Sequence, residues 1–169
     1  MVETNIEAIL KLLAQNQIEF VVIGGVAALA HGSARATFDV DICYRRSKEN
    51  VDRLCKILAP LKPRLRGAPE DLPFIFDAES VLLGLNFTLT TDAGDLDILG
   101  EVAGLGMYDQ VLVASEFGEL YGWTISVLTI EGLLKAKRAA GRRKDLEAII
   151  ELEALRDLGN TSSPPILSE

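Results

Sequence analysis

Histidine, tryptophan and cysteine are scarce in this chain, with one His, one Trp and two Cys among 169 residues. Cys43 and Cys55 form no CxxC pair and have no histidine at zinc-site spacing. A disulfide framework and a structural zinc site are therefore not expected, and a reduced, cytoplasmic protein is. No apolar run reaches the ~18 residues of a membrane span. The N-terminus, MVETNIEAILKLL, carries Glu3 and Glu7 in place of a basic leader, so neither a membrane partner nor a secretory signal is expected. Positive charge is short as well: 17 Lys and Arg face 25 Asp and Glu, a net charge of -8. That balance argues against a surface that coats nucleic acid without specificity. Two phosphate-binding signatures are also missing. Gly24, Gly25 and Gly32 do not make GxGxxG, and no GKS or GKT follows to make a Walker A loop.

What remains is globular composition, 49% hydrophobic and 25% charged, in a length that suits one domain. Residues 3 to 16 place Ile6, Ile9, Leu10 and Leu13 at helical spacing. Ile18 to Ile23 have the length of a buried strand, ended by Gly24-Gly25, and Val26 to Ala30 suit a short helix closed by His31-Gly32. Phe38, Val40 and Ile42 then alternate with Asp39, Asp41 and Cys43, the period of a half-buried strand. Ser47 caps an expected helix over 48–58. Four prolines mark a long connection to Asp77 that carries Lys62, Arg64 and Arg66; it reads as an irregular surface excursion, with a mobile substrate loop as the alternative.

Leu85 to Thr91 and Leu96 to Leu99 flank Asp92-Ala93-Gly94 as a hairpin, and Trp123 to Leu128 alternate as a further, edge-like strand. Thr129 caps a helix through Lys137. After Gly141 a helix is expected over 143–157, with Leu146, Ile149, Ile150 and Leu155 on its inner face. These elements predict an α+β domain with a mixed sheet and helices mainly on one face. A single domain is expected over 1–158, with a C-terminal helical part at 129–158 and a disordered tail at 159–169.

Asp39 and Asp41, at i and i+2 on one strand, project from the same face with Cβ atoms roughly 6–7 Å apart. Two carboxylates aimed at one volume repel unless a cation sits between them or one keeps a proton. Magnesium takes hard oxygen ligands, commonly one or two carboxylates with water and phosphate. Asp97, in Leu96-Asp97-Ile98 on the second hairpin strand, is the best third carboxylate, and Asp95 on the same face is its rival. Gly24-Gly25 allows close backbone approach by a phosphate. Asp145 reads as a helix-start residue pairing with a cation, His31 as a helix-end packing residue and Trp123 as core.

The run GG-x13-DVDI, with HG and R-x-T inside it and a later LDI strand, resembles the nucleotidyltransferase fold related to DNA polymerase beta. The nearest likeness is to a small bacterial branch around AbiEii-type toxins and lincosamide nucleotidyltransferases. The stretch Lys137-Arg138-Ala139-Ala140-Gly141-Arg142-Arg143-Lys144-Asp145-Leu146 is similar to a segment of that branch. Gly25 stands where a serine is frequent elsewhere in the superfamily, which removes a hydroxyl contact to phosphate. Gly32-Ser33 is a competing match to the motif, disfavoured because no strand precedes it.

The resemblance implies transfer of a nucleoside monophosphate from a nucleoside triphosphate to a hydroxyl acceptor. Pyrophosphate would leave, with Mg2+ or Mn2+ as cofactor. It implies Asp39, Asp41 and Asp97 as catalytic and metal-holding residues, and Gly24, Gly25, Arg35, Lys137, Arg142 and Lys144 as nucleotide-binding ones. The acceptor is left open among tRNA or other RNA, a protein side chain and a small molecule, and an antitoxin partner is a further expectation. Two other readings compete: a non-catalytic nucleotide-binding or toxin–antitoxin interaction module, and a nucleotide-sugar glycosyltransferase using its DxD pair.

Overall fold

The computed structural model describes residues 2–161. Helix α1 (Ile6–Gln15) is capped by Asn5, whose side chain accepts from Ala8 N. Strand β1 (Phe20–Ile23) is wholly buried and runs directly into α2 (Gly24–Ala30), which begins at Gly24 with φ +64°. Strand β2 (Asp39–Tyr44) returns antiparallel to β1, pairing Ile23 with Asp41. Ser47 caps α3 (Lys48–Leu58) through Asn50 N, as its sequence position predicts.

The proline-rich stretch is more ordered than a surface excursion. After a 3-10 turn at Ala59–Leu61, β3 (Arg64–Leu65) joins the sheet, and Asp77 caps α4 (Ala78–Leu83). The expected hairpin is present as β4 (Asn86–Thr91) and β5 (Gly94–Leu99), with Thr91 paired to Gly94 across the turn. A small hairpin of β6 (Glu101–Val102) and β7 (Gly106–Met107) leads to α5 (Tyr108–Val113) and β8 (Ser115–Leu120). Then come β9 (Trp123–Leu128), α6 (Ile130–Ala140), a 3-10 turn at Arg143–Asp145 and α7 (Leu146–Thr161).

Among the described residues, the main sheet has the order β3-β4-β5-β2-β1-β9-β8. It is mixed: β2 and β5 run parallel, as do β1 and β9, while the other neighbours are antiparallel. The α+β class read from the sequence is what the chain adopts. Val40, Ile42, Leu96 and Ile98 lie fully buried on one face of the sheet. Ile9, Leu10 and Leu13 of α1 and Val51, Leu54 and Leu58 of α3 join them in one apolar cluster. Strict alternation then commits Asp39, Asp41, Asp95 and Asp97 to the opposite face. Both cysteines are free and buried. Among the described residues, no helix is long and apolar enough to cross a membrane.

Two sequence expectations need correction. β9 lies between β1 and β8, second from the end of the sheet, so it is not itself an edge strand; Trp123 pairs with Leu120 of β8. In α7 the fully buried residue is Leu152, whereas Leu146 and Ile150 are 59% and 66% exposed. Ile149, Leu152 and Leu155 follow one another at i+3 on the inward face, whereas Leu146 and Ile150 are turned away from it by the helical period. Helix α7 runs past Gly159 to Thr161; the tail expected beyond it falls, from position 162, outside the described residues.

Candidate active site

The parallel pairing of β2 with β5 sets the site. Its register places Asp39 beside Asp95 and Asp41 beside Asp97, so the shared face carries four carboxylates. Ligand oxygens of Asp39, Asp41 and Asp97 all lie within 4.8 Å of one another. Asp95 is differently engaged: its Oδ1 accepts from Thr90 Oγ1 at 3.0 Å, and its Oδ2 faces Arg66. Of the two candidates for a third carboxylate, Asp97 is the one in register with Asp41, and Asp95 is in register with Asp39.

Gly24 is required by this packing. A Cβ there would overlap Asp41 Oδ2, and the left-handed backbone already disfavours a side chain. Gly25 is equally confined on its own side, where a Cβ would collide with Thr37 Oγ1. The diglycine lets the end of β1 approach the carboxylates closely while the chain turns into α2.

Crowding shows in the protonation of the acids. Burial pushes the Asp41 carboxyl up to about 8, with the charges of Asp39 and Asp97 adding to the effect and Arg66 opposing it. Asp39 is raised too, by burial and then by Asp97, partly offset by Arg66. The cluster is therefore short of positive charge even with a guanidinium beside it. A divalent cation that prefers hard oxygen donors relieves that deficit, so the residues present fit such an ion.

The acids form one wall of a cleft of about 710 Å³. Gly24, Asn86, Thr88, Glu101 and Leu133 also line it, together with Lys137, Arg142, Lys144 and Asp145. The buried Asp145 holds two of these cations: its Oδ2 accepts from Arg142 Nε at 2.7 Å, and Lys137 Nζ lies 3.4 Å from its Oδ1. Burial tends to raise the Asp145 carboxyl, but the Arg142 hydrogen bond and the two positive charges outweigh it and leave it below the usual range. Asp145 thus has the cation-pairing place its sequence position suggests. Arg35 does not join the cleft lining; its Nη1 lies 3.3 Å from Glu147 Oε2. His31 ends α2 and donates from Nε2 to Leu128 O at 2.8 Å, a packing role.

The residue whose place in the site the sequence did not reveal is Arg66. Its Nη2 donates to Asp97 Oδ1 at 2.6 Å and to Leu89 O at 2.7 Å, and its Nη1 lies 3.8 Å from Asp39 Oδ2. What brings it there is the pairing of β3 with β4, continued by Arg66 N donating to Thr88 O. No local pattern announces a contact made across a sheet.

The topology and the site together define the class: the chain has the nucleotidyltransferase fold. It is similar to a candidate nucleotidyltransferase of Thermotoga maritima, with a TM-score of 0.50 and 17% identity over 95% of this chain and 96% of the other. It is also similar to ANT(2")-Ia, solved with adenylyl-2"-tobramycin, with a TM-score of 0.51 and 14% identity over 90% and 93% of the two chains. No protein-family model and no curated protein matches the sequence.

Proposed function

We propose that this chain transfers a nucleoside monophosphate from a nucleoside triphosphate to a hydroxyl group, releasing pyrophosphate. The observation that carries the reading is the convergence of Asp39, Asp41 and Asp97 on one small volume, at the wall of a cleft that Lys137, Arg142 and Lys144 also line. Anionic and cationic groups lining one cleft suit a metal-bound polyphosphate.

Asp39, Asp41 and Asp97 would hold Mg2+ or Mn2+, which supplies charge neutralisation of the phosphates and a lower pKa for the attacking hydroxyl. The acceptor oxygen forms a bond to the α-phosphorus as the bond from that phosphorus to the bridging oxygen of the β-phosphate breaks. The hydroxyl proton passes to the Asp97 carboxylate. The pyrophosphate leaves with both electrons of the broken bond, and Lys137, Arg142 and Lys144 offset its charge. Gly24 keeps the end of β1 free of a side chain that would push Asp41 out of place. Because such chemistry depends on positioning and electrostatics, loss of one carboxylate should slow it about 100-fold or more.

A net charge of -8 favours a small molecule or a protein hydroxyl over a long RNA as acceptor. Incubation with each NTP, Mg2+ or Mn2+ and a panel of acceptors, followed by pyrophosphate release, tests the reading. Release by the wild type that Asp41→Asn and Asp97→Asn abolish supports it. Turnover of a UDP-sugar in place of an NTP would transfer the site to glycosyl chemistry.

A further inference from the structure

Arg66 reaches the carboxylate face from the edge of the sheet, with only 28% of its side chain exposed. The guanidinium spans three acids: Asp97 at 2.6 Å, Asp95 at 3.2 Å and Asp39 at 3.8 Å. Two of these belong to the triad proposed above to hold a divalent cation. The grip is incomplete, because Nε lies near Asp95 Oδ2 yet makes no hydrogen bond. Arg66 also lines a second cavity of about 330 Å³, formed with Gly67, Pro69, Leu72 and Phe74, so there is space on its other side.

Resting on the nucleotidyltransferase reading, we propose that Arg66 is a resident counter-cation. It competes with the divalent ion for Asp97 and Asp39 in the nucleotide-free protein, and once displaced it binds the triphosphate. Four carboxylates on two adjacent strands repel one another, and a fixed positive charge keeps them assembled before any metal arrives. That same charge must yield Asp97 Oδ1 before a divalent ion can use it, since one lone-pair direction cannot serve both at short range. A guanidinium released inside the cleft is a fork suited to phosphate oxygens. Metal and nucleotide then favour each other's binding, because each takes one side of an ion pair that otherwise closes on itself.

The test measures Mn2+ binding to the full chain by the paramagnetic resonance of free Mn2+, and then the affinity for a non-hydrolysable ATP analogue at saturating Mn2+. Arg66→Gln should bind Mn2+ alone about tenfold more tightly than wild type, the factor expected when one charge-assisted hydrogen bond no longer has to be broken. The same variant should bind the analogue about tenfold more weakly, since a phosphate contact is gone. Opposite signs are the signature, because general damage to the site weakens both. Unchanged or weaker Mn2+ affinity, or unchanged analogue affinity, overturns the proposal while leaving the metal site in place. If wild type and Arg66→Gln both ignore Mn2+ at millimolar concentration, with and without the analogue, the nucleotidyltransferase reading falls along with it. Should Arg66→Gln not fold, Arg66→Lys keeps the charge without the fork, and both shifts should retain their signs at smaller size.

Discussion

Replacing Asp41 with Asn should make the metal-free protein less sensitive to pH. In the folded chain burial and the neighbouring acids push Asp41 up to about 8, from an ordinary value of 3.8. A carboxyl whose pKa is raised by folding stabilises the native state fully below its unfolded value. That contribution is lost as pH climbs towards the folded value. A tenfold change in proton affinity is worth about 1.36 kcal/mol, so the interval caps the loss at roughly 6 kcal/mol. Side-chain rotation and water entry into the open cleft reduce this, leaving about 2 kcal/mol between pH 5 and pH 8. Thermal unfolding in EDTA from pH 5 to pH 8 reads it directly. Wild type should lose several degrees across this range, and Asp41→Asn, which removes the titrating group, should lose much less. Saturating Mg2+ should flatten the wild-type profile, since an ion held by the ionised form replaces the proton. Equal slopes for wild type and variant in EDTA would mean that Asp41 is not the group that titrates in this range.

Gly24→Ala places a methyl group on Asp41 Oδ2 in a left-handed backbone, and should cost about 1–3 kcal/mol of stability while abolishing Mn2+ binding. Both can be read from one melting series with and without the ion. Asp145→Asn removes the buried partner of Lys137 and Arg142; because Arg142 is half exposed, the loss should be only about 1–2 kcal/mol, with nucleotide affinity falling more than Mn2+ affinity in titrations of each. Ile98→Ala, on the buried face behind the acids, should cost about 2–5 kcal/mol in urea unfolding. Leu146→Ser should stay within about 0.5 kcal/mol in the same assay, because that side chain faces outward.

The parts of the fold that were legible in the sequence are those in which local pattern and tertiary role agree. A buried strand, a diglycine, a short helix and an alternating DxD strand lie consecutively, and their pairing is between chain neighbours. Leu96-Asp97-Ile98 was readable because the buried face of β5 forces its aspartates to the other side. β8 escaped because SEFGEL sits at the sheet edge with both glutamates and Phe117 exposed, which leaves little apolar alternation. The helices α4 and α5, of six residues each, are too short to show a period. Arg66 was legible only as one basic residue of a possible substrate loop; its contacts with the acids arise from β3 pairing with β4 more than twenty residues later.

Whether three carboxylates share one divalent cation is decided by a crystal grown with Mn2+ and a non-hydrolysable NTP. An anomalous peak is expected about 2.2 Å from carboxylate oxygens of Asp39, Asp41 and Asp97, with a phosphate oxygen in its shell. Bound nucleotide with no such peak, or Mn2+ held elsewhere while these acids keep only Arg66 for company, would contradict that arrangement.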